Sequence, residues 1–201
     1  MIRAMAGLAC IVTTAASSAS AQEAQILDYD VHGRLVSAYR DRLAGSNVTT
    51  YALDGADNRA ARSSGPAMTA SWEAETLPHV VGFAEADGWA ANINQPQHFM
   101  TYGPYTPDVP MGQRVAVWRM MVDWVDVSGS SSAVVLDVYD ATTGEVLAIR
   151  GISHASWRTP WTYQWFELPF EMSASRAGHL LEFRTWFVPI AHVRVDKIGY
   201  R

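Results

Sequence analysis

Residues 69–201 contain short apolar runs separated by Gly, Pro, Asp and Ser, and this pattern predicts an all-β fold. The predicted strands are residues 69–75, 88–93, 98–102, 114–125, 133–139, 146–152, 163–170, 180–186 and 191–200. None of these runs follows a helical period over a useful length. Short strands with turn residues between them are typical of a β-sandwich or a barrel.

Several predicted strands alternate apolar and polar residues, so each has one face toward the core and one face away from it. In residues 163–170, Phe166, Leu168 and Phe170 point inward, whereas Trp165 points outward. The other residues predicted to point inward are Ala116, Trp118, Met120, Val122, Val134, Leu136, Val138, Leu181 and Phe183. The charged residues predicted on outward faces are Arg119, Asp123, Asp137, Arg150, Glu182 and Arg184. These charges either line a polar groove or form cross-strand ion pairs on a solvated sheet.

Residues 22–68 have a different, more polar texture that predicts an N-terminal arm in front of the sandwich. Apolar residues in 31–44 are spaced as on an amphipathic helix, which would end at the Gly-Ser-Asn sequence of residues 45–47. Residues 56–67 are rich in Asp, Asn, Arg, Ser and Gly and predict a surface loop or linker. The expected organisation is therefore a short helix-containing arm followed by a β-sandwich domain of residues 69–201.

The first residues have the features of a secretory signal peptide. Arg3 forms a basic start, residues 4–16 are apolar or small, and Ala19-Ser20-Ala21 fits the small-residue cleavage pattern. Cleavage before Gln22 would remove residues 1–21 and export the chain to the periplasm or the extracellular space. An alternative is a lipoprotein, in which the Gly-Leu-Ala-Cys sequence of residues 7–10 would place a lipid on Cys10.

Composition excludes several classes of partner. The formal net charge is −5 and no basic run is present, which argues against nucleic-acid binding. No apolar stretch reaches the roughly 20 residues that a membrane-spanning helix needs. Cys10 is the only cysteine and leaves with the signal peptide, so the mature chain has no disulfide. Residues 22–201 are enough for a core without covalent cross-links.

Aromatic residues between positions 157 and 165 give the strongest functional signal. Trp157, Trp161, Tyr163 and Trp165 lie within nine residues. Sugar rings present flat C–H faces that stack on flat aromatic rings, so a tryptophan-rich loop at a sandwich edge suits carbohydrate binding. The alternative is that Trp157 and Trp161 fold back as a lid on the core, because large aromatic side chains bury favourably.

A second group of candidate sugar-binding residues combines amides with tyrosines, namely Asn92, Tyr102 and Tyr105. Amide and phenol groups suit ligands rich in hydroxyl groups. The alternative is that Gly103-Pro104 is an ordinary turn and that the two tyrosines only pack against their neighbours.

The sequence shows no catalytic motif: neither a G-x-S-x-G nucleophile elbow nor an H-E-x-x-H metal motif is present. One enzymatic hypothesis stays open, because some polysaccharide lyases on β-sandwich folds use a tyrosine and a histidine as base and acid. Here Tyr102 with His98, or Tyr163 with His154, would have those roles.

Three motifs in residues 70–201 resemble carbohydrate-binding modules of families 6 and 35. They are Trp72-Glu73-Ala74-Glu75, Tyr163-Gln164-Trp165-Phe166-x-Leu168 and the Val-Arg-Val-Asp-Lys-Ile sequence of residues 193–198. The resemblance implies a jelly-roll β-sandwich of the galactose-binding-like type. It also implies that Glu73, Glu75 and Asp196 hold a structural Ca²⁺, whose preferred ligands are carboxylate oxygens. Trp157 or Trp161 would match the aromatic residue of the family's sugar cleft.

The expected function is therefore non-catalytic carbohydrate binding by an exported, lectin-like protein. The family's sugar-binding Asn is absent before Val193, where Pro189-Ile190-Ala191-His192 stands instead. The alternatives are a glycan-degrading enzyme such as a polysaccharide lyase, or a cell-envelope domain that binds another protein.

Overall fold

Antiparallel strands make up nearly all the regular structure of the described residues. The computed structural model describes residues 24–41, 46–56 and 58–201, so the predicted signal peptide and Cys10 lie outside the described residues. The chain divides into two units, Met1–Pro66 and Ala67–Arg201. Among the described residues, no helix has the length and hydropathy that crossing a membrane requires.

The first unit contains a four-stranded antiparallel sheet in the order β1-β2-β3-β4. Its strands are β1 (Ala24–Tyr29), β2 (Leu35–Asp41), β3 (Asn47–Leu53) and β4 (Arg59–Pro66). The helix predicted over residues 31–44 is wrong, because β2 occupies most of its described part. A short apolar run can fit both the helical period of 3.6 and the strand period of 2. Here the segment is a strand because it pairs with β1 on one side and β3 on the other. The predicted loop at residues 56–67 is also wrong, since most of it forms β4.

The β1–β2 and β3–β4 turns of this sheet are built in the same way. Asp30 Oδ1 accepts hydrogen bonds from the backbone N–H groups two and four residues later, at 2.9 and 3.0 Å. Asp54 Oδ1 accepts the equivalent pair at 2.9 Å each. An aspartate that bonds to the following backbone is a favoured way to form a turn. The same hairpin therefore occurs twice in the described part of this unit, a repeat that the sequence analysis missed.

Two sheets form the second unit. Its strands are β5 (Ala70–Glu73), β6 (Phe83–Glu85), β7 (Gly88–Ala91), β8 (Phe99–Thr101), β9 (Pro104–Thr106), β10 (Gly112–Val122), β11 (Ser132–Asp140), β12 (Glu145–Ser153), β13 (Gln164–Met172), β14 (Leu181–Phe187) and β15 (Val193–Tyr200). One sheet has the order β13-β10-β15-β7-β6, with β5 also pairing β15. The other has the order β12-β11-β14-β8, with β9 also pairing β14.

The all-β prediction is confirmed for this unit. Every one of the nine predicted strands is present, and each end lies within three residues of its predicted position. The prediction missed β6 and β9, which have three residues each and give no visible alternation. Three short 3-10 turns, at Ala74–Thr76, His154–Ser156 and Ala174–Arg176, complete the regular structure described for the unit.

The inner faces of the two sheets share one hydrophobic core. Trp118 on β10 meets Phe183 on β14 edge-to-face, with ring centroids 6.5 Å apart, and Phe183 also stacks on Tyr200 at 5.8 Å. Every residue that alternation predicted to point inward is buried. The arrangement is β-sandwich-like. Asp137, predicted on an outward face, does lie there but is also buried.

Candidate functional site

A groove opens in the second unit, on the outer face of the sheet β12-β11-β14-β8, where β8 and β9 pair with β14. Its volume is about 190 Å³. The groove is lined by Val80, Phe99, Tyr102, Tyr105, Glu182 and Arg184. It therefore brings together two of the tyrosines and two of the outward-facing charges that the sequence pointed to separately.

The turn between β8 and β9 places the tyrosines. Gly103 has φ +88° and lies between the two rings in sequence, and Tyr105 itself has φ +64°. The backbone at Gly103 is fixed by two hydrogen bonds: its N–H donates to Glu182 Oε2 at 3.2 Å, and its carbonyl accepts from Phe183 N–H at 2.7 Å. A left-handed conformation costs a residue other than glycine on the order of 1 kcal/mol. Tyr105 is nonetheless held there with 41% of its surface exposed.

Arg184 supplies the cation of the groove. Its Nε and Nη2 donate to the two carboxylate oxygens of Asp137, at 2.7 and 2.9 Å, in a bidentate pair. Its guanidinium carbon lies 3.7 Å from the ring centroid of Tyr139 and 4.8 Å from that of Phe99. The aromatic rings and the aspartate together fix the guanidinium, while its Nη1 is not part of the pair with Asp137.

Glu182 supplies an acceptor that has no cation bonded to it in the described structure. It is 5% exposed, and it accepts hydrogen bonds from the Gly103 N–H at 3.2 Å and from the Tyr105 hydroxyl. Burial raises the pKa of the Glu182 carboxyl above its ordinary value, and the Gly103 hydrogen bond and the charge of Arg184 oppose that rise. Burial, followed by the negative charge of Glu182, also raises the pKa of Tyr105. The groove therefore offers a buried carboxylate acceptor beside two neutral phenols.

The other sheet of this unit, β13-β10-β15-β7-β6, has a different outer face, on which charged groups bond to one another. Arg119 Nη1 donates to Asp196 Oδ2 at 2.7 Å, and the guanidinium carbon of Arg119 lies 4.3 Å from the ring centroid of Tyr163. The Tyr163 hydroxyl donates to Asp87 Oδ1 at 2.8 Å, and Arg194 Nη1 lies 3.6 Å from the same oxygen. We call Arg119, Asp196, Tyr163, Asp87 and Arg194 the paired face.

The aromatic loop predicted as a sugar platform is divided by the structure. Trp157 is 2% exposed, packs edge-to-face on Phe166 and donates from Nε1 to the Met120 carbonyl at 3.4 Å. The lid interpretation therefore holds for Trp157, which presents no free ring face. Trp161 is 58% exposed with φ +53°, and its N–H donates to the Val122 carbonyl at 2.8 Å. Trp161 is the exposed aromatic of this loop and lies outside the groove lining.

Two further predicted sugar-binding residues also lie away from the groove lining. Trp165 is half-buried on the outer face of β13, with its ring centroid 6.0 Å from the Arg119 guanidinium carbon. Asn92 is half-buried in the turn after β7, where its Oδ1 accepts from Asn94 N–H at 3.0 Å. The structure thus keeps Tyr102 and Tyr105 together and separates them from Asn92 and the three tryptophans.

The three carboxylates implied as Ca²⁺ ligands do not form a ligand set. Glu73 Oε1 lies 2.8 Å from Lys197 Nζ, and Asp196 is bonded to Arg119. Glu75 is exposed in the turn Ala74–Thr76. Within the described ranges, no group of three or more acidic, His or Cys side chains has metal-binding geometry. Because two of the carboxylates are already neutralised by cations, these residues do not fit a Ca²⁺ ion as arranged.

The tyrosine–histidine pairs considered for a lyase have other partners. Burial and the hydrogen bond to Asp87 raise the pKa of Tyr163, which opposes a role as base. His154 is buried and stacks on Trp124, with ring centroids 4.0 Å apart. His98 Nδ1 accepts from Phe99 N–H at 2.8 Å and therefore has that position occupied.

Comparison with protein-family models, curated proteins and solved structures finds no match for this chain. A fold by itself does not determine a function, so function is inferred here from side chains and their contacts. In the groove, the exposed ring of Tyr105 and the half-buried ring of Tyr102 lie beside the hydrogen-bonding groups of Glu182 and Arg184.

Proposed function

We propose that the protein binds carbohydrate without catalysing a reaction, and that the groove on the β14 face holds the sugar. The observation that carries the proposal is the lining of the groove, where Tyr102 and Tyr105 lie beside Glu182 and Arg184. Tyrosine rings offer stacking surfaces for the C–H faces of a sugar. Glu182 accepts hydrogen bonds from sugar hydroxyls, and Arg184 donates to them.

The conformation of Tyr105 supports this assignment. Backbone strain at a residue other than glycine persists only where surrounding structure enforces it, and such residues cluster at ligand sites. Tyr105 and Trp161 both combine this strain with an exposed ring, and Tyr105 is the one of the two that lines the groove. A tyrosine that served only to pack would be expected to bury its ring.

The proposal also includes a more specific fold within the β-sandwich-like arrangement. We propose a jelly-roll sandwich of the galactose-binding-like type for residues 69–201. Its support is that the first and last strands of the unit, β5 and β15, pair antiparallel in the register Glu73 to Lys197. Action outside the cytoplasm rests on the signal-like residues 1–21 and is likewise proposed.

The test is a glycan array with the purified exported protein, followed by two matched variants. Tyr105→Ala should weaken binding at least about tenfold, because removing a central aromatic contact commonly costs more than 1 kcal/mol. Trp161→Ala removes an exposed aromatic residue outside the groove and should leave binding unchanged. Circular dichroism confirms that both variants are folded.

Other outcomes point to other sites. Loss of binding in Trp161→Ala alone would move the site to the aromatic loop. A blank array from folded protein would overturn carbohydrate binding and favour a protein partner. Release of products with ultraviolet-absorbing unsaturated ends from uronic-acid polymers would show a lyase instead.

A further inference from the structure

The charges in the groove do not cancel. Arg184 is balanced by its bidentate partner Asp137, which lies on the neighbouring strand β11. Glu182 has no cation bonded to it among the described residues, since its hydrogen bonds come from the backbone N–H of Gly103 and from the Tyr105 hydroxyl. Among the described residues that line the groove, Arg184 is the one cation and Tyr102 and Tyr105 are neutral phenols. Taken with Asp137, the groove therefore carries one net negative charge.

The burial of Glu182 strengthens the repulsion between its charge and a ligand carboxylate. Glu182 is 5% exposed, and charges that are removed from water interact strongly because they are poorly screened. A second carboxylate brought beside Glu182 would be repelled, and its own desolvation would add to the cost.

The bonds of Arg184 to Asp137 also prevent it from pairing with a ligand carboxylate in the usual bidentate way. Proteins that bind carboxylates commonly use the bidentate fork of an arginine. In this groove that fork, formed by Nε and Nη2, is already bonded to Asp137. What Arg184 can offer a ligand is its Nη1 edge, which suits a hydroxyl oxygen.

From this charge pattern and occupied fork we infer that the groove selects neutral, hydroxyl-rich glycans and discriminates against glycans that carry carboxylates. The inference rests on the proposed carbohydrate-binding function and names its ligand class. Neutral hexose residues can donate to Glu182 and accept from Arg184 through their hydroxyls. Uronic-acid residues of the same shape would place a carboxylate in a groove that is already negative.

The test compares matched oligosaccharides. Tetrasaccharides of galactose and of glucose, and the corresponding uronic-acid tetrasaccharides, are titrated into the exported protein by calorimetry at neutral pH. We expect at least one of the neutral sugars to bind, and its uronic-acid counterpart to bind at least about tenfold more weakly. Glu182→Gln keeps an acceptor for the Gly103 N–H and removes the charge, so the discrimination should fall below about threefold.

A matched control is Glu171→Gln, which removes one negative charge from the exposed side of β13 on the other sheet. This variant changes the net charge of the protein by the same amount as Glu182→Gln, but Glu171 does not line the groove, so the full discrimination should be kept. Equal or tighter binding of the uronic-acid sugars would overturn the inference while leaving carbohydrate binding in place. Unchanged discrimination in Glu182→Gln would overturn it as well. Absence of binding by every sugar overturns the proposed function itself.

Discussion

The two outer faces of the second unit contain the same kinds of residue, but the hydrogen-bond partners of these residues differ. One buried carboxylate from each face can be compared, Glu182 in the groove and Asp196 on the paired face, at 5% and 6% exposure. Asp196 is bonded to the cation Arg119 at 2.7 Å, whereas the donors to Glu182 are neutral groups, the Gly103 N–H at 3.2 Å and the Tyr105 hydroxyl. A polar group that its own protein satisfies stabilises the fold, and one that is left with spare capacity is available to a ligand.

The tyrosines show the same contrast. Tyr163 on the paired face is covered by Arg119 and donates its hydroxyl to Asp87. Tyr105 in the groove is exposed and held with positive φ. We therefore assign a stabilising role to the paired face and ligand binding to the groove. The predictions below test this assignment.

The largest expected effect is on stability, from Asp137→Ala. Asp137 and Arg184 form a buried bidentate pair, and removal of the aspartate would leave a buried cation without its counter-charge. We expect the free energy of unfolding to fall by about 3 kcal/mol, measured by chemical denaturation.

Glu73→Ala on the other sheet is the control, since it removes the exposed partner of Lys197. Exposed pairs contribute less than about 1 kcal/mol. Equal losses in the two variants would contradict the conclusion that Arg184 is fixed by its buried partner.

The sequence predicted the sandwich well because its strands alternate cleanly. Period 2 in residues such as Phe166, Leu168 and Phe170 reports burial directly, and all three are buried. The N-terminal helix was wrong because Leu35, Val36 and Tyr39 fit more than one period in a short run, and neighbouring strands decided the outcome. The repeated aspartate turns at Asp30 and Asp54 were visible at a spacing of 24 residues but were not recognised.

The site was predicted only in pieces. Tyr102 and Tyr105 were proposed for sugar binding, and Glu182 and Arg184 were placed on an outward face, but nothing in the sequence joined them. Their meeting depends on β9, a three-residue strand that pairs β14 between residues far apart in the chain. The contribution of Phe99 depends on the equally short β8.

The second expected effect is smaller and concerns the paired face. Tyr163→Phe removes the hydroxyl that donates to Asp87 and keeps the ring beneath Arg119. Loss of one such hydrogen bond should lower the free energy of unfolding by about 1 kcal/mol and leave glycan affinity unchanged. Tyr105→Phe removes a hydroxyl that bonds to Glu182 and faces the groove, so it should reduce glycan affinity. Loss of glycan affinity in Tyr163→Phe would show that the paired face also binds ligand.

A third and smaller effect is a pH dependence at Glu182. Burial raises the pKa of this carboxyl above its ordinary value of 4.5, so the folded state binds the proton more tightly than the unfolded state. Ionised Glu182 therefore costs stability at neutral pH, and this cost disappears as the pH falls through the folded-state pKa.

Glu182→Gln should accordingly be at least as stable as the parent protein at pH 7, and its advantage should shrink as the pH falls toward 4.5. Thermal melts of both proteins over this range measure the difference. A variant that is less stable at pH 7 and recovers at acid pH would show that the charge of Glu182 stabilises the fold, which would weaken the contrast with Asp196.

The smallest expected effect is that of chelation, which tests the calcium site implied by the resemblance to carbohydrate-binding modules. Glu73 is paired with Lys197 and Asp196 with Arg119, so a Ca²⁺ ion would have to displace two cations. We therefore expect EDTA to leave the melting temperature unchanged. A fall in melting temperature that Asp196→Ala abolishes would restore the calcium site. It would also mean that the carboxylates of the paired face rearrange around an ion, so that this face is not satisfied by its own cations alone.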